Sequence, residues 1–176
     1  MTTVVVLGAV LLLLAVYGYW TARRLDRLHA RLDAAAAALD AQLRARAEAA
    51  ARFAADGDLP REAVAGLAYS AEVAAEAPGL GHDREVAENA LSRALTKVTE
   101  KAGADAAGFA LADAVTRASF ARRFHNDAVR DVLVLRKRRI VRYLRLAGRA
   151  PLPAYFEMVE PAALISQVSV AAPPYD

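Results

Sequence analysis

The chain has 176 residues and a formal net charge of +3, and it contains no cysteine. Its length suffices for one domain, and the lack of thiols excludes disulfides, a cysteine nucleophile and cysteine-ligated metal sites. Hydrophobic residues make up 56% of the chain but aromatic residues only 7%, because 44 residues are alanine. Alanine is the strongest helix former, so the composition predicts an all-α fold.

The first predicted element is a transmembrane anchor over residues 1–22. The run from Val4 to Trp20 carries no charge, and with its flanks it reaches the roughly 20 residues that cross a bilayer as a helix. Tyr17, Tyr19 and Trp20 close the run, where aromatic rings favour the headgroup region. A cleaved signal peptide is the alternative, but no basic residue precedes the run and no small-residue cleavage site follows it.

The charges that flank the anchor predict its orientation. No Lys or Arg precedes the apolar run, whereas Arg23, Arg24, Arg27 and Arg31 follow it closely. Because basic residues near a membrane helix stay on the cytoplasmic side, we expect a single-pass protein of the cell membrane. Its N-terminus lies outside and its C-terminal domain lies in the cytoplasm.

Residues 23–149 are predicted to form a cytoplasmic bundle of about four antiparallel helices. Apolar residues recur in steps of three and four from Leu25 to Phe53, which indicates one helical stripe. No helix breaker interrupts this stretch, so the membrane helix should continue as a stalk to about Ala55. Short connections between the later helices favour antiparallel neighbours.

Turn-forming residues divide the remainder of the chain into three further helices and a tail. Proline suits the start of a helix, and glycine suits its end. The expected helices begin near Pro60, Asp83 and Asp105 and end near Pro78, Gly103 and Ala147, and residues 150–176 form a C-terminal tail with five prolines.

Three segments resemble the LemA family, and they occur in the family's order. They are Leu39–Arg46, Tyr155–Glu157 and, most specifically, Ala121–Asp131 in the last helix. His125 stands where the family has tyrosine, so the chain looks like a divergent member. The resemblance implies a single-span protein with a cytoplasmic helical domain and no established catalytic activity. It marks Arg122, Asn126, Asp127 and Arg130 as signature residues.

The sequence predicts no catalytic residue, no metal ligand and no cofactor site. Successive helical residues point about 100° apart, so His125, Asn126 and Asp127 cannot all ligate one metal ion. Glu157 and Glu160 could in principle share acid–base work, but the surrounding cations favour ordinary ion pairs. No glycine-rich phosphate loop is present.

Positive charge is concentrated in two segments. Residues 132–149 carry seven basic residues and no acidic one, residues 23–31 have a net charge of +3, and the rest of the chain has a net charge of −7. In an antiparallel bundle the fourth helix returns to the membrane, so both segments should meet anionic headgroups. A solvated face and a nucleic-acid site are the alternatives, and the bundle geometry argues against nucleic acid. The predicted lipid contacts are Arg23, Arg24, Arg136, Lys137, Arg138, Arg139 and Arg142.

These features favour a non-enzymatic, membrane-anchored scaffold or adaptor that presents its helical bundle to a protein partner and rests on anionic lipid. A self-assembling, membrane-shaping protein is the alternative, because the narrow stripe from Leu25 to Ala50 could also pair with a second copy. An enzyme with a site between helices or subunits has the least support, since no convergent set of polar residues is evident.

Overall fold

The computed structural model describes residues 1–56, 59–99, 106–139, 141 and 151–161. Within these residues the fold consists of helices and contains no strand, so the predicted all-α class is confirmed. The helices are α1 (Thr2–Asp56), α2 (Arg61–Glu76), α3 (His82–Thr99) and α4 (Ala106–Arg136).

Helix α1 begins as an apolar rod and is long and apolar enough to cross a membrane. Leu12 and Leu13 near its start are 65% and 69% exposed, so their large side chains lack a protein covering. The helix continues without a break to Asp56, as the stalk prediction requires. Alanine-rich sequence supports this continuity, because alanine costs the least free energy in a helix.

The chain divides into two compact units, and α1 and α4 contribute to both. Unit 1 consists of residues 1–35 and 126–155, and unit 2 consists of residues 36–125 and 156–176.

Unit 2 has a core of alanine and leucine side chains from all four helices. Leu67, Leu91, Leu95 and Leu111 are completely buried, and each contributes about 1.5–3 kcal/mol of burial free energy. Small alanines between them allow the helices to approach closely. Phe53 at the end of α1 supplies the largest aromatic side chain of this cluster.

Contacts within unit 2 establish the helix directions. The first half of α2, from Ala63 to Ser70, and the second half of α3, from Ala90 to Val98, line one groove, so these two helices are antiparallel. Helices α1 and α3 run parallel, because Asp40 contacts Arg84 and Arg46 contacts Glu88. This is the arrangement expected of an up-down bundle.

Local residues explain the ends of α2. Pro60 immediately precedes the helix, and its carbonyl accepts hydrogen bonds from the N–H groups of Ala63 and Val64. The helix ends at Glu76, because Pro78 disfavours helical geometry at Ala77. Gly79 then adopts a φ of 59°, a conformation that glycine reaches without steric cost.

Unit 1 pairs the part of α1 that follows the apolar run with the end of α4. Leu25 and Leu28 pack with Leu135 and Val141. Arg31, later in α1, pairs with Asp131, earlier in α4 than Leu135, so the two helices are antiparallel, as predicted. The end of α4 therefore lies beside the turns of α1 that directly follow the apolar run.

Helix α4 ends at Arg136, and Arg139 and Val141 beyond it are again helical. The predicted end at Ala147 lies outside the described residues. Lys137 and Arg138 form a turn, in which the Arg138 N–H donates to the carbonyl of Leu135. Four consecutive cations begin at Arg136, and like charges three or four residues apart destabilise a helix. Residues 142–147 lie outside the described residues.

Residues 151–161 are non-helical and were expected to belong to a C-terminal tail. Phe156 and Met158 are nevertheless buried in unit 2, where they pack with Leu39, Leu43 and Ala118. Phe156 and Met158 of the tail are therefore an integral part of the core of unit 2.

Candidate basic site

The basic pocket is a depression of about 360 Å³ in unit 1, directly after the apolar run. All of its lining residues come from one face of α1, because they recur at steps close to a helical turn. They are Trp20, Arg24, Arg27, Leu28 and Arg31. The pocket thus combines an indole ring, one leucine and three guanidinium groups.

The arginines around the pocket differ in their partners. Arg31 forms an exposed ion pair with Asp131 at 3.3 Å, and the Arg23 guanidinium lies 5.3 Å from the centre of the Tyr19 ring. Neither Arg24 nor Arg27 forms an ion pair with any described carboxylate. These two guanidinium groups can therefore bind an external anion, and their planar donors suit phosphate oxygens.

The predicted basic run lies partly in the same unit. Arg136 donates a hydrogen bond to the carbonyl of Pro151 at 2.8 Å, whereas Lys137, Arg138 and Arg139 are exposed. The packing of Leu135 on Leu25 brings this run to the end of unit 1 that also carries Arg23 and Arg24. Arg142 lies outside the described residues.

The signature residues divide into a tertiary contact and a local contact. Arg122 donates to Glu160 at 2.5 Å, and Arg123 reaches the same carboxylate at 3.3 Å. Partial burial tends to raise the pKa of Glu160, but the neighbouring Ser119 side chain and these guanidinium groups together outweigh it and hold the pKa below its ordinary value. Arg122 therefore fastens residues 156–161 to α4.

The remaining signature residues belong to unit 1. Arg130 pairs with Asp127 at 2.9 Å across less than one turn of α4, and both side chains are exposed. Asn126 is half-buried. His125, the preceding residue of α4, is buried in unit 2. An exposed pair within one helix contributes little to stability, so Asp127 and Arg130 remain available for outside contacts.

A buried ionic network in unit 2 was not predicted from the sequence. Arg46 contacts Glu88 at 3.2 Å and donates to the hydroxyl of Ser92 at 2.7 Å. Arg84 donates to the other oxygen of Glu88 at 3.0 Å and to Asp40 at 3.3 Å. Two cations thus face two carboxylates, and the side chains of Arg46, Arg84 and Glu88 are fully buried.

Burial dominates the electrostatics of this network. It lowers the pKa of Arg46 and raises that of Glu88, while the attraction between the two opposes both shifts. A buried charge that lost its partner would strongly destabilise the fold, so the network stabilises the packing of α1 on α3. Arg46 also contacts the sulfur of Met158, which connects the network to the tail.

A weak sequence signal for the network does exist. Arg46 follows Leu39 and Leu43 at helical spacing and precedes Ala50, so it falls within the apolar stripe of α1. Arginine is seldom fully buried unless it is paired, but the spacing within α1 does not indicate which residue of another helix is the partner.

A second concave surface is the α2–α3 groove, of about 530 Å³, in unit 2. Small residues from both helices, together with Leu67, form its floor, and charged residues form its rim. A β-carbon added at Gly66 would meet no atom within 4 Å, so the groove is open at that point. The floor includes Ala63, Gly66, Leu67, Ala90 and Ala94, and the rim includes Glu62, Arg93 and Lys97.

Among the described residues, no group of three or more His, Asp or Glu could hold a metal ion. No known protein family, curated protein or solved structure matches the chain. The resemblance to the LemA family therefore stays a prediction from sequence.

Proposed function

We propose that this protein is a non-enzymatic, membrane-anchored scaffold of the LemA type. The apolar part of α1 crosses the cell membrane with the N-terminus outside. The helical bundle lies in the cytoplasm, where it rests on anionic headgroups and presents a surface to a protein partner.

The observation that carries this proposal is the continuity of α1. A single helix begins with exposed apolar turns and ends in the buried core of unit 2 at Phe53. Between these parts it bears Arg23, Arg24, Arg27 and Arg31, which suit the cytoplasmic face of a membrane. Such a helix couples the anchor mechanically to the bundle.

The α2–α3 groove is the surface that best fits a partner. Its small floor residues leave room for the side chains of an amphipathic helix, a common ligand of such grooves. Arg93 and Lys97 on the rim favour a partner helix with acidic residues along that edge, because opposite charges improve the specificity of an interface.

The test fills the groove without disturbing the fold. Gly66→Leu places a side chain in open space and removes a glycine from a helix, which by itself favours helix formation. Ala65→Leu is the matched control, because Ala65 is exposed on α2 and does not line the groove. Crosslinked, tagged full-length protein is captured from native membranes and the bound proteins are identified.

We expect one partner to be recovered with the original chain and with Ala65→Leu, but at least tenfold less with Gly66→Leu. Recovery of only the chain itself, in multimers, would instead favour the self-assembling alternative. Because the chain lacks cysteine, labelling of Thr3→Cys and Ala51→Cys in the same cells reports the topology. Labelling of Ala51→Cys from outside intact cells would contradict the proposed orientation.

A further inference from the structure

We propose that the basic pocket binds the headgroup of a doubly charged anionic phospholipid, with Arg24 and Arg27 as the phosphate ligands. This inference rests on the proposed function, because it requires α1 to cross the membrane. Basic residues are attracted to the membrane surface in general, but this pocket is one defined site that selects a lipid by its charge.

The position of the pocket along α1 matches the depth of the headgroup layer. Trp20 ends the apolar run and is 66% exposed, which suits an indole at the membrane boundary. With a rise of about 1.5 Å per residue, Arg24 and Arg27 lie about 6 and 10 Å beyond it. The headgroup region extends about 5–8 Å from the hydrocarbon core, so the Arg24 guanidinium lies within it. Helical side chains point back toward the N-terminus of their helix, so the long side chain of Arg27 can also reach lipid phosphates.

The charges within the pocket indicate a ligand with two negative charges. Asp131 already neutralises Arg31, whereas Arg24 and Arg27 have no described carboxylate partner. Asp26, between them in sequence, forms no ion pair with a described residue. A singly charged headgroup would leave one of the two cations unneutralised, whereas a phosphomonoester or a pair of phosphodiesters neutralises both.

The apolar part of the pocket favours a lipid over a soluble phosphate. Trp20 and Leu28 line it together with the arginines, and they can contact the glycerol and the first acyl carbons. Exposed apolar side chains such as Val16 and Leu13 continue along α1 toward the bilayer centre. An acyl chain can therefore lie along the same helix whose arginines hold the headgroup.

Trp20 provides a direct readout, because it is the only tryptophan in the chain. The full-length protein is reconstituted in phosphatidylcholine vesicles that contain a small fraction of lipid with brominated acyl chains, which quench nearby indoles. The brominated lipid is phosphatidylcholine, singly charged phosphatidylglycerol, or a doubly charged lipid such as phosphatidic acid or cardiolipin. We expect the doubly charged lipids to quench Trp20 at severalfold lower mole fraction than phosphatidylglycerol.

The variant Arg24→Gln/Arg27→Gln should lose this preference, by about fivefold for each arginine if each contributes about the typical surface attraction. Arg52→Gln/Arg61→Gln is the matched control. It removes the same charge from exposed positions of unit 2 and should keep the preference. Soluble glycerol phosphate should not compete with the lipid.

Three results would overturn the site while leaving the membrane anchor intact. They are equal quenching by all charged lipids, a preference that is lost in Lys137→Gln/Arg138→Gln but not in the pocket variant, and full competition by glycerol phosphate. Failure of every brominated lipid, phosphatidylcholine included, to quench Trp20 would show that α1 does not enter the bilayer. That result would overturn the proposed function together with the site.

Discussion

Arginine plays opposite roles in the two units of this protein. In unit 1, Arg24 and Arg27 are exposed beside Trp20 and pair with no described carboxylate. In unit 2, Arg46 and Arg84 are fully buried and share Glu88 between them. The same residue type is thus available to a ligand in one unit and is fixed inside the protein in the other.

This difference shows that the charges near an arginine in the sequence do not indicate whether it binds a ligand or stabilises the fold. Removing a buried partner leaves an uncompensated charge and is strongly destabilising. Removing an exposed arginine changes stability little, so its effect falls on binding. Substitutions that are matched between the two units can test this contrast.

The largest expected effect is that of Arg46→Met, which leaves Glu88 with only one of its two cations. We expect the free energy of unfolding to fall by about 3–5 kcal/mol. It is measured by denaturant titration of the full-length protein in micelles, followed by circular dichroism. Arg27→Met in unit 1 is the control and should change it by less than about 0.5 kcal/mol.

A double variant sharpens the same comparison. Arg46→Met/Glu88→Leu removes both charges of the pair and should recover most of the lost stability, because apolar replacements of a buried pair are often tolerated. Equal losses for Arg46→Met and Arg27→Met would show that the buried network does not hold unit 2 together.

A somewhat smaller effect is expected at the tail, where two neighbouring aromatic residues belong to different units. Phe156 is 1% exposed in unit 2, whereas Tyr155 in unit 1 is 46% exposed. Phe156→Ala should lower the free energy of unfolding by about 3 kcal/mol through the cavity it leaves. Tyr155→Ala should have less than a third of that effect in the same denaturant titration.

The smallest expected effect is the pH dependence that Glu160 gives to the free energy of unfolding. The folded-state pKa of Glu160 lies below its ordinary value of 4.5, so its ion pair with Arg122 stabilises the protein above that pH. This contribution, about 1 kcal/mol for a surface pair, is lost as the pH falls through the folded-state pKa, because the unfolded chain binds the proton more readily.

Glu160→Gln should therefore be less stable than the original chain at neutral pH and equally stable in acid. The matched control is Asp131→Asn in unit 1, whose pair with Arg31 has side chains that are 59% and 44% exposed. If Asp131→Asn lowered the free energy of unfolding at neutral pH by more than Glu160→Gln does, the expected order of the two ion pairs would be wrong.

Much of the fold could be predicted because its signals are local. The uncharged run before Trp20, the alanine content and the breakers at Pro60 and Gly79 act within one or two turns of helix. The burial of α3 is less local, because Leu91, Leu95 and Val98 are buried whereas Val86 on the same helix is 51% exposed. The charged residues Arg84 and Glu88 lie on the inner face with these apolar residues.

The candidate site was predicted in part for the same reason. Arg24 was expected to contact lipid because it follows the apolar run directly. Its combination with Arg27 and Trp20 in one pocket depends on the helical face and on the absence of a described acidic partner. The capture of Arg31 by Asp131, 100 residues away in the chain, could not be deduced from spacing.

The sequence by itself determined the helical class, the apolar start of α1 and the concentration of positive charge, because composition and periodicity act over short distances. Only the tertiary structure decided which arginines are buried and which are exposed. That outcome depends on which carboxylates the packed helices bring within a few ångströms, and burial of a guanidinium is tolerable only where such partners meet it. The opposite roles of Arg46 and Arg24 on one continuous helix follow from that requirement.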